Sequence, residues 1–342
     1  MSISDGVIER FFLVHLFPAS RKENDWILFQ VEDSDPFTPI FCFQPYFHLS
    51  INRSLVSCAM IKLIECPRDA MQGIPEFIDT AIKAAYINQL LEVGFETIDF
   101  GSFVSPKAIP QMRDTAEVLS LLDLHQAKSK LLAIVANVRG AEEALHFEEI
   151  DFLGFPLSVS ETFQKRNTNA SIGEALQTVE TIQNLCEANR KKQVVYLSMG
   201  FGNPYGDPYS PEIVAEFVEK LALLGIETIS LSDTIGVADA ELISTLFEIQ
   251  IQAFPQIEFG AHLHSRPEGI EEKVLAGLKG GCRRFDGALK GIGGCPMAVD
   301  KLVGNMATEV MIATLEKAGH DLKLNKTEFI EAMKLANFVF NP

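Results

Sequence analysis

No two cysteines of this chain lie at the close spacing of a structural metal knot or a redox pair. The six that exist, Cys42, Cys58, Cys66, Cys186, Cys282 and Cys295, are scattered, which excludes a disulfide framework and fits a reducing cytoplasm. Basic residues are also scarce: 29 Lys and Arg stand against 46 Asp and Glu, a net charge of −17. Nucleic acid is therefore not an expected partner, because a phosphate backbone is held by a basic stripe. No run of about 18 apolar residues without charges occurs. Residues 1–20 lack the basic start, apolar run and small-residue cleavage site of an export signal, so neither a membrane span nor secretion is expected.

What the chain does have is enough apolar residue, 47% of 342, to bury a large core. Residues 1–59 mix Phe, Pro, Ser and Trp26 with no sustained period and read as an irregular N-terminal extension. Met60 is the expected native start, with residues 1–59 an upstream extension or a misread frame. From Met60 onward, short apolar runs alternate with amphipathic segments, the pattern of repeated βα units around a parallel sheet.

The strand-like runs are Ile61–Cys66, Thr97–Phe100, Leu131–Ala136, Asp151–Phe155, Val194–Met199, Thr228–Leu231, Glu258–Leu263 and Arg283–Ala288. Helices are predicted at Pro75–Val93, Ile109–Leu122, about Gly140–Leu145, Ile172–Ala188, Pro211–Leu223, Asp239–Ala253, Ile270–Leu278 and Lys301–Glu316. Eight units over roughly 260 residues imply a closed (β/α)₈ TIM barrel rather than an open doubly wound sheet of five or six strands. A further C-terminal helix, about Lys326–Phe338, lies outside the repeat. Residues 60–342 then form one catalytic domain, whose exposed last helix makes a homodimer reasonable.

In such barrels the active site gathers at the carboxyl ends of the strands. Arg68 and Asp69 close strand 1, Asp99 lies in strand 2, Asn137 closes strand 3, Ser232 and Asp233 close strand 6, and His262 and His264 close strand 7. Two imidazoles at i and i+2 share one face of a strand and can aim at one metal ion; a polar strand end without a ligand has the same pattern. Asp69 and Asn305 offer oxygen ligands, and such a mixed set with open positions suits Mg²⁺ or Mn²⁺ better than tetrahedral Zn²⁺. Arg68 reads either as a partner of Asp99 or as a fixed cation for a developing enolate. Asp233 reads either as a site residue or as a helix cap. Cys295, in the pliable GIGGCP segment Gly291 to Pro296, reads either as an inert small hydrophobe or as a thiol facing the cleft.

The segments ECPRDAMQG (65–73), GSFVSPKAIPQM (101–112), LSDTIGV (231–237), AHLH (261–264), GIGGCPMA (291–298) and GNMATE (304–309) resemble, in order, those of the 3-hydroxy-3-methylglutaryl-CoA (HMG-CoA) lyases of the DRE-TIM metallolyases. The resemblance covers the chain from Met60 to about Phe340. It implies a divalent cation, Mg²⁺ or Mn²⁺, on Asp69, His262, His264 and Asn305, an enolate-stabilising Arg68 and a proton-transferring Cys295, with Asp99 and Asp233 as further catalytic candidates. It also implies a small acyl-CoA substrate, for which Gln72, Ser102 and Asn137 are the binding candidates. Two departures are visible. The family usually carries glutamate where this chain has Asp99, and its usual Asp-Thr-Tyr-Gly after AHLH is replaced by Ser265, Arg266, Pro267 and Glu268. Two other readings are a related aldolase or Claisen-type enzyme on another hydroxyacyl-CoA or hydroxy-acid, and an inactive barrel kept as a binding protein.

Overall fold

The computed structural model describes residues 60–294 and 303–340. Within them eight parallel strands pair in chain order and close: β1 (Lys62–Glu65), β2 (Thr97–Ser102), β3 (Lys130–Ile134), β4 (Ile150–Ser158), β5 (Lys192–Ser198), β6 (Thr228–Asp233), β7 (Glu258–Leu263) and β8 (Arg284–Gly287) form one barrel. Closure comes from β1 pairing with β8 from Lys62↔Arg284 to Glu65↔Gly287. The expected eight-stranded barrel is the observed one. Successive side chains of a strand face opposite sides, so one set meets the surrounding helices and the other fills the cylinder. Leu63, Leu131, Val195 and Phe285 belong to the outer, helix-facing core. Leu132, Ile134, Phe152, Val194 and Tyr196 form a separate cluster inside.

The helices are α1 (Pro67–Gln72), α2 (Thr80–Val93), α3 (Thr115–Ser120), α4 (Val138–Ala144), α5 (Glu161–Thr168), α6 (Ile172–Ala188), α7 (Pro211–Leu223), α8 (Ala240–Ala253), α9 (Ile270–Lys279), α10 (Thr308–Lys317) and α11 (Lys326–Phe340). Several of their starts follow from caps. Ser171 and Glu174 form a reciprocal capping box on α6, Ser210 with Pro211 opens α7, and Asp239 accepts from Leu242 N to open α8, so these boundaries match the sequence reading closely. The C-terminal helix lies outside the repeat as expected: Asn325 N donates to Val93 O at 2.9 Å and Gln89 reaches the Glu328 carboxylate at 2.8 Å, holding α11 on α2.

Some expectations are corrected. The helix expected from Pro75 starts at Thr80, where Asp79 caps Ala81 N. The helix expected over Ile109–Leu122 is a 3₁₀ turn, Pro110–Met112, followed by α3, because Thr115 Oγ1 is drawn to Ser102 of β2 through hydrogen bonds of 3.0 Å to both its N–H and its carbonyl. Asn137 does not close β3; it caps α4, accepting from Gly140 N at 2.9 Å. The helix expected from Lys301 begins at Thr308, since Asn305 bridges His264 and Ala307 bridges Ala288, which holds 303–307 extended. The short helices α1 and α5 were not anticipated: six and eight residues span too few turns to show a period.

The last residue of β1, Glu65, is fully buried and joins β1 to the segment after β8. Its carboxyl accepts from Leu289 N at 2.8 Å and Thr308 Oγ1 at 2.6 Å, with no cation among these partners. Burial pushes it up to about 8, the two hydrogen bonds working against that rise and nearby Glu309 adding to it. Between the unfolded value near 4.5 and about 8 the folded state therefore keeps a proton that the unfolded chain releases, so stability falls as pH rises through that window. Urea unfolding of metal-free protein at pH 5 and pH 8 is expected to show the wild type losing on the order of 2–4 kcal/mol more than Glu65→Gln. Equal losses would remove Glu65 from the pH dependence.

Candidate active site

Asp69 owes its place to the turn after β1. Pro67 starts α1 with its φ already helical, and Asp69 falls in the first turn, where the helix dipole favours a carboxylate. Across the closed barrel, β7 delivers His262, and His264 follows at the strand's end. One ligand atom from each of Asp69, His262 and His264 lies within 4.8 Å of the others, a spacing a single cation can span. The two imidazole rings are 5.5 Å apart. Asn305 joins them through its Nδ2, which donates to Asp69 Oδ2 at 2.6 Å and Ile292 O at 2.9 Å. The four residues expected to share a metal are therefore brought together.

Protonation suits ligation at His264 and Asp69, while at His262 a proton competes with a cation. Burial and the neighbouring His262 push the His264 imidazole down to about 4, so it is neutral at physiological pH, and its Nδ1 is buried without a hydrogen-bond partner among the described residues. Burial works against a charged His262, but the hydrogen bond to Asp286 together with the negative charges of Asp286 and Asp69 outweighs it and holds the imidazole above its ordinary value. That bond, His262 Nδ1 to Asp286 Oδ2 at 3.2 Å, leaves Nε2 as the free ring nitrogen. Burial also opposes ionisation of Asp69, yet Arg68 and the two histidines hold its carboxyl below the usual range. Neutral imidazole and ionised carboxylate are the forms that bind a metal. The donor set fits a divalent cation.

Arg68 is buried beside these groups. Its Nη1 donates to Asp69 Oδ1 at 2.9 Å, and its Nε lies 3.1 and 3.0 Å from the two oxygens of Asp99, which also takes Nη2. The shorter carboxylate thus reaches the guanidinium directly. Burial pushes the Asp99 carboxyl up to about 6, with Arg68 working against the rise. A cavity opens above this group, lined by Arg68, Asp69, Gln72, His262 and His264 with apolar walls at Val104, Ile109, Ile134 and Pro156. Gln72 also donates to Asp69 Oδ1.

Other candidates stand elsewhere. Asp233 is committed to structure: its oxygens accept from Val237 N, Ala238 N and, at 2.7 Å, Lys273 Nζ, and it does not line the cavity. Ser102 is buried off the cavity, its Oγ accepting from Val104 N, and Asn137 is exposed as a helix cap. Of the four residues that depart after AHLH, Ser265 is buried and Arg266, Pro267 and Glu268 are exposed, and none of them lines the cavity. Cys295 lies outside the described residues. The preceding segment runs against the site: a Cβ on Gly293 would sit 2.6 Å from Asn305 Nδ2 and 2.7 Å from Asp69 O, and its φ is +102°, so glycine is required there. Sequence reasoning missed Asp286, Tyr196 and Lys273. Only the alternation of β8, which turns Asp286 inward beside Arg284, could have signalled the first.

Residues 61–339 match the HMGL-like family model. The chain is 35% identical over 259 residues to the hydroxymethylglutaryl-CoA lyase YngG of Bacillus subtilis, covering 76% of this chain and 85% of that one. It is 32% identical over 282 residues to the human mitochondrial hydroxymethylglutaryl-CoA lyase, covering 82% and 84%. Among solved structures, an HMG-CoA lyase from Acinetobacter baumannii in complex with coenzyme A and 3-methylmalate superposes with a TM-score of 0.76 at 29% identity, over 83% of this chain and 92% of that one. With the motifs, the closed barrel and a matching model over most of its length, the chain belongs to the HMGL-like family.

Proposed function

We propose that this protein cleaves 3-hydroxy-3-methylglutaryl-CoA into acetoacetate and acetyl-CoA with a divalent cation, Mg²⁺ or Mn²⁺, held by Asp69, His262, His264 and Asn305. The observation that carries this reading is the Asp69, His262 and His264 cluster beside a buried Arg68 at the carboxyl end of the barrel, in a chain of this family. The lyase domain on this reading is residues 60–342, with 1–59 an extension. It acts in the cytoplasm, as a homodimer, in leucine or ketone-body metabolism.

When bound, the cation supplies Lewis-acid polarisation of the substrate's oxygens. In the reaction the 3-hydroxyl loses its proton, the C2–C3 bond breaks, and C3 becomes the ketone of acetoacetate. The bonding pair moves onto the thioester as an enolate, which takes a proton at C2 to become acetyl-CoA. Arg68 lines the cavity as a fixed cation for the enolate oxygen, and Asp99 holds its guanidinium in place. Pre-aimed charge of this kind costs no reorganisation during reaction. Gln72 orients substrate from the cavity wall, the apolar walls exclude water from the enolate, and Cys295 moves the proton.

Release of acetoacetate from the thioester in the presence of Mg²⁺ or Mn²⁺ tests the activity. A glutaryl thioester left intact while another hydroxyacyl-CoA is split would overturn it. Arg68→Gln is expected to lower kcat by at least about 10²-fold, and Cys295→Ala to slow turnover while Mn²⁺ affinity is kept; unchanged rates would remove either residue from its role.

Mn²⁺ at about a hundred times its Kd is expected to stabilise the wild type by roughly 2.7 kcal/mol and to leave His264→Ala unshifted in a thermal melt. Because protons compete for His262, whose imidazole is held above its ordinary value, Mn²⁺ affinity should fall as pH drops through that raised value. A pH-independent Kd in calorimetric titration contradicts this.

A further inference from the structure

The interior of the barrel below the site carries charges that the reaction above does not use. Arg284, on the inward face of β8, is 2% exposed, and a buried guanidinium is costly unless something compensates it. Its register partner on β7 is Gly260. A Cβ at Gly260 would stand 3.0 Å from Arg284 Cδ and 2.9 Å from Ser230 Oγ, so the missing side chain there is what admits the arginine. On one side, Arg284 Nε lies 3.9 Å from Asp286 Oδ1. Asp286 uses its other oxygen to accept from Ser230 Oγ at 3.0 Å and to meet His262 Nδ1 at 3.2 Å. On the other side, Arg284 Nη1 lies 3.7 Å from Glu258 Oε2, and Glu258 pairs with Lys62 near the amino-terminal ends of the strands. A line of alternating charge, Lys62, Glu258, Arg284, Asp286, thus crosses the barrel and ends on His262.

We propose that Arg284 is a positioning residue for the cation site: as the buried counter-charge of Asp286, it keeps that carboxylate on His262 Nδ1 and so keeps His262 turned toward Asp69 and His264. The proposal rests on reading Asp69, His262 and His264 as the ligand set. It is separable from a plain charge effect by sign. A buried cation near a metal repels it, so losing Arg284 through charge alone would tighten binding. Losing the support of a ligand's outer partner weakens binding, by about ten- to a hundredfold in comparable sites. Tyr196, whose ring meets His262 edge-on at 5.3 Å, packs against the imidazole but carries no charge to replace that support.

The experiment is calorimetric titration of Mn²⁺ into metal-stripped full-length protein, with a thermal melt of each metal-free variant beside it. Arg284→Met is expected to raise the Mn²⁺ Kd about ten- to a hundredfold, and Arg284→Lys, which keeps the charge, to recover most of the loss. A Kd in Arg284→Met that is unchanged or tighter overturns the proposal, as does a lower melting temperature with no change in Kd. Should Arg284→Met not fold, Gly260→Ala displaces the same guanidinium by crowding its Cδ and must weaken Mn²⁺ binding; an unchanged Kd there is equally fatal. If the wild type takes up no Mn²⁺, the ligand set itself is wrong and the role of Arg284 goes with it. A wild type that binds beside variants that bind equally well overturns the role of Arg284 alone.

Discussion

Pairing of β1 with β8 is the constraint on which the site depends. Asp69 enters just after the first strand and His262 and His264 at the end of the seventh, about two hundred residues apart in the chain. They meet because the register from Lys62↔Arg284 to Glu65↔Gly287 joins the first and last strands. Once closed, the rim is reinforced from both sides: Asn305 bridges His264 and donates to Asp69, while Glu65 ties the end of β1 to Leu289 and Thr308. Asp69 itself takes hydrogen bonds from Arg68, Gln72 and Asn305, so the carboxylate is oriented by two neighbours in its own helix and by one residue from the segment after β8.

The cylinder's interior is divided by chemistry. The inward faces of β3, β4 and β5 carry Leu132, Ile134, Phe152, Val194 and Tyr196. Those of β6, β7 and β8 carry Ser230, His262, Arg284 and Asp286, all but His262 buried to within 2% exposure. An apolar wall on one side and a charged column on the other give a site that excludes water where an enolate would form and anchors its polar groups where the cation would sit. Low local dielectric strengthens the pairs Arg68 with Asp99 and Asp286 with His262, and makes each costly to leave unpaired.

Periodicity and caps made the barrel legible, because a strand shows its type in four to six apolar residues and a capped helix shows its start in a few polar ones. The ends of α6 and α7 coincide with the sequence reading for that reason. Reading was weakest where a tertiary partner overrides the local signal: Thr115 captured by Ser102 breaks one expected helix, and Asn305 held extended beside His264 delays another.

The same division holds at the site. Strand-end position and side-chain chemistry suffice to nominate Arg68, Asp69, His262 and His264, since both are local properties of the chain. Whether a nominated group faces the cavity is not local. Asp233, also at a strand end, is taken up by Lys273 from α9, Asn137 is spent on capping α4, and Asp286, with no motif to mark it, is brought onto His262 by the β7–β8 register. The sequence by itself determined the repeat and the barrel and nominated the polar groups of the rim. Only the tertiary structure decided which polar groups meet one another, because hydrogen-bond partners are chosen across strands by register and closure, and neither is written in any single segment.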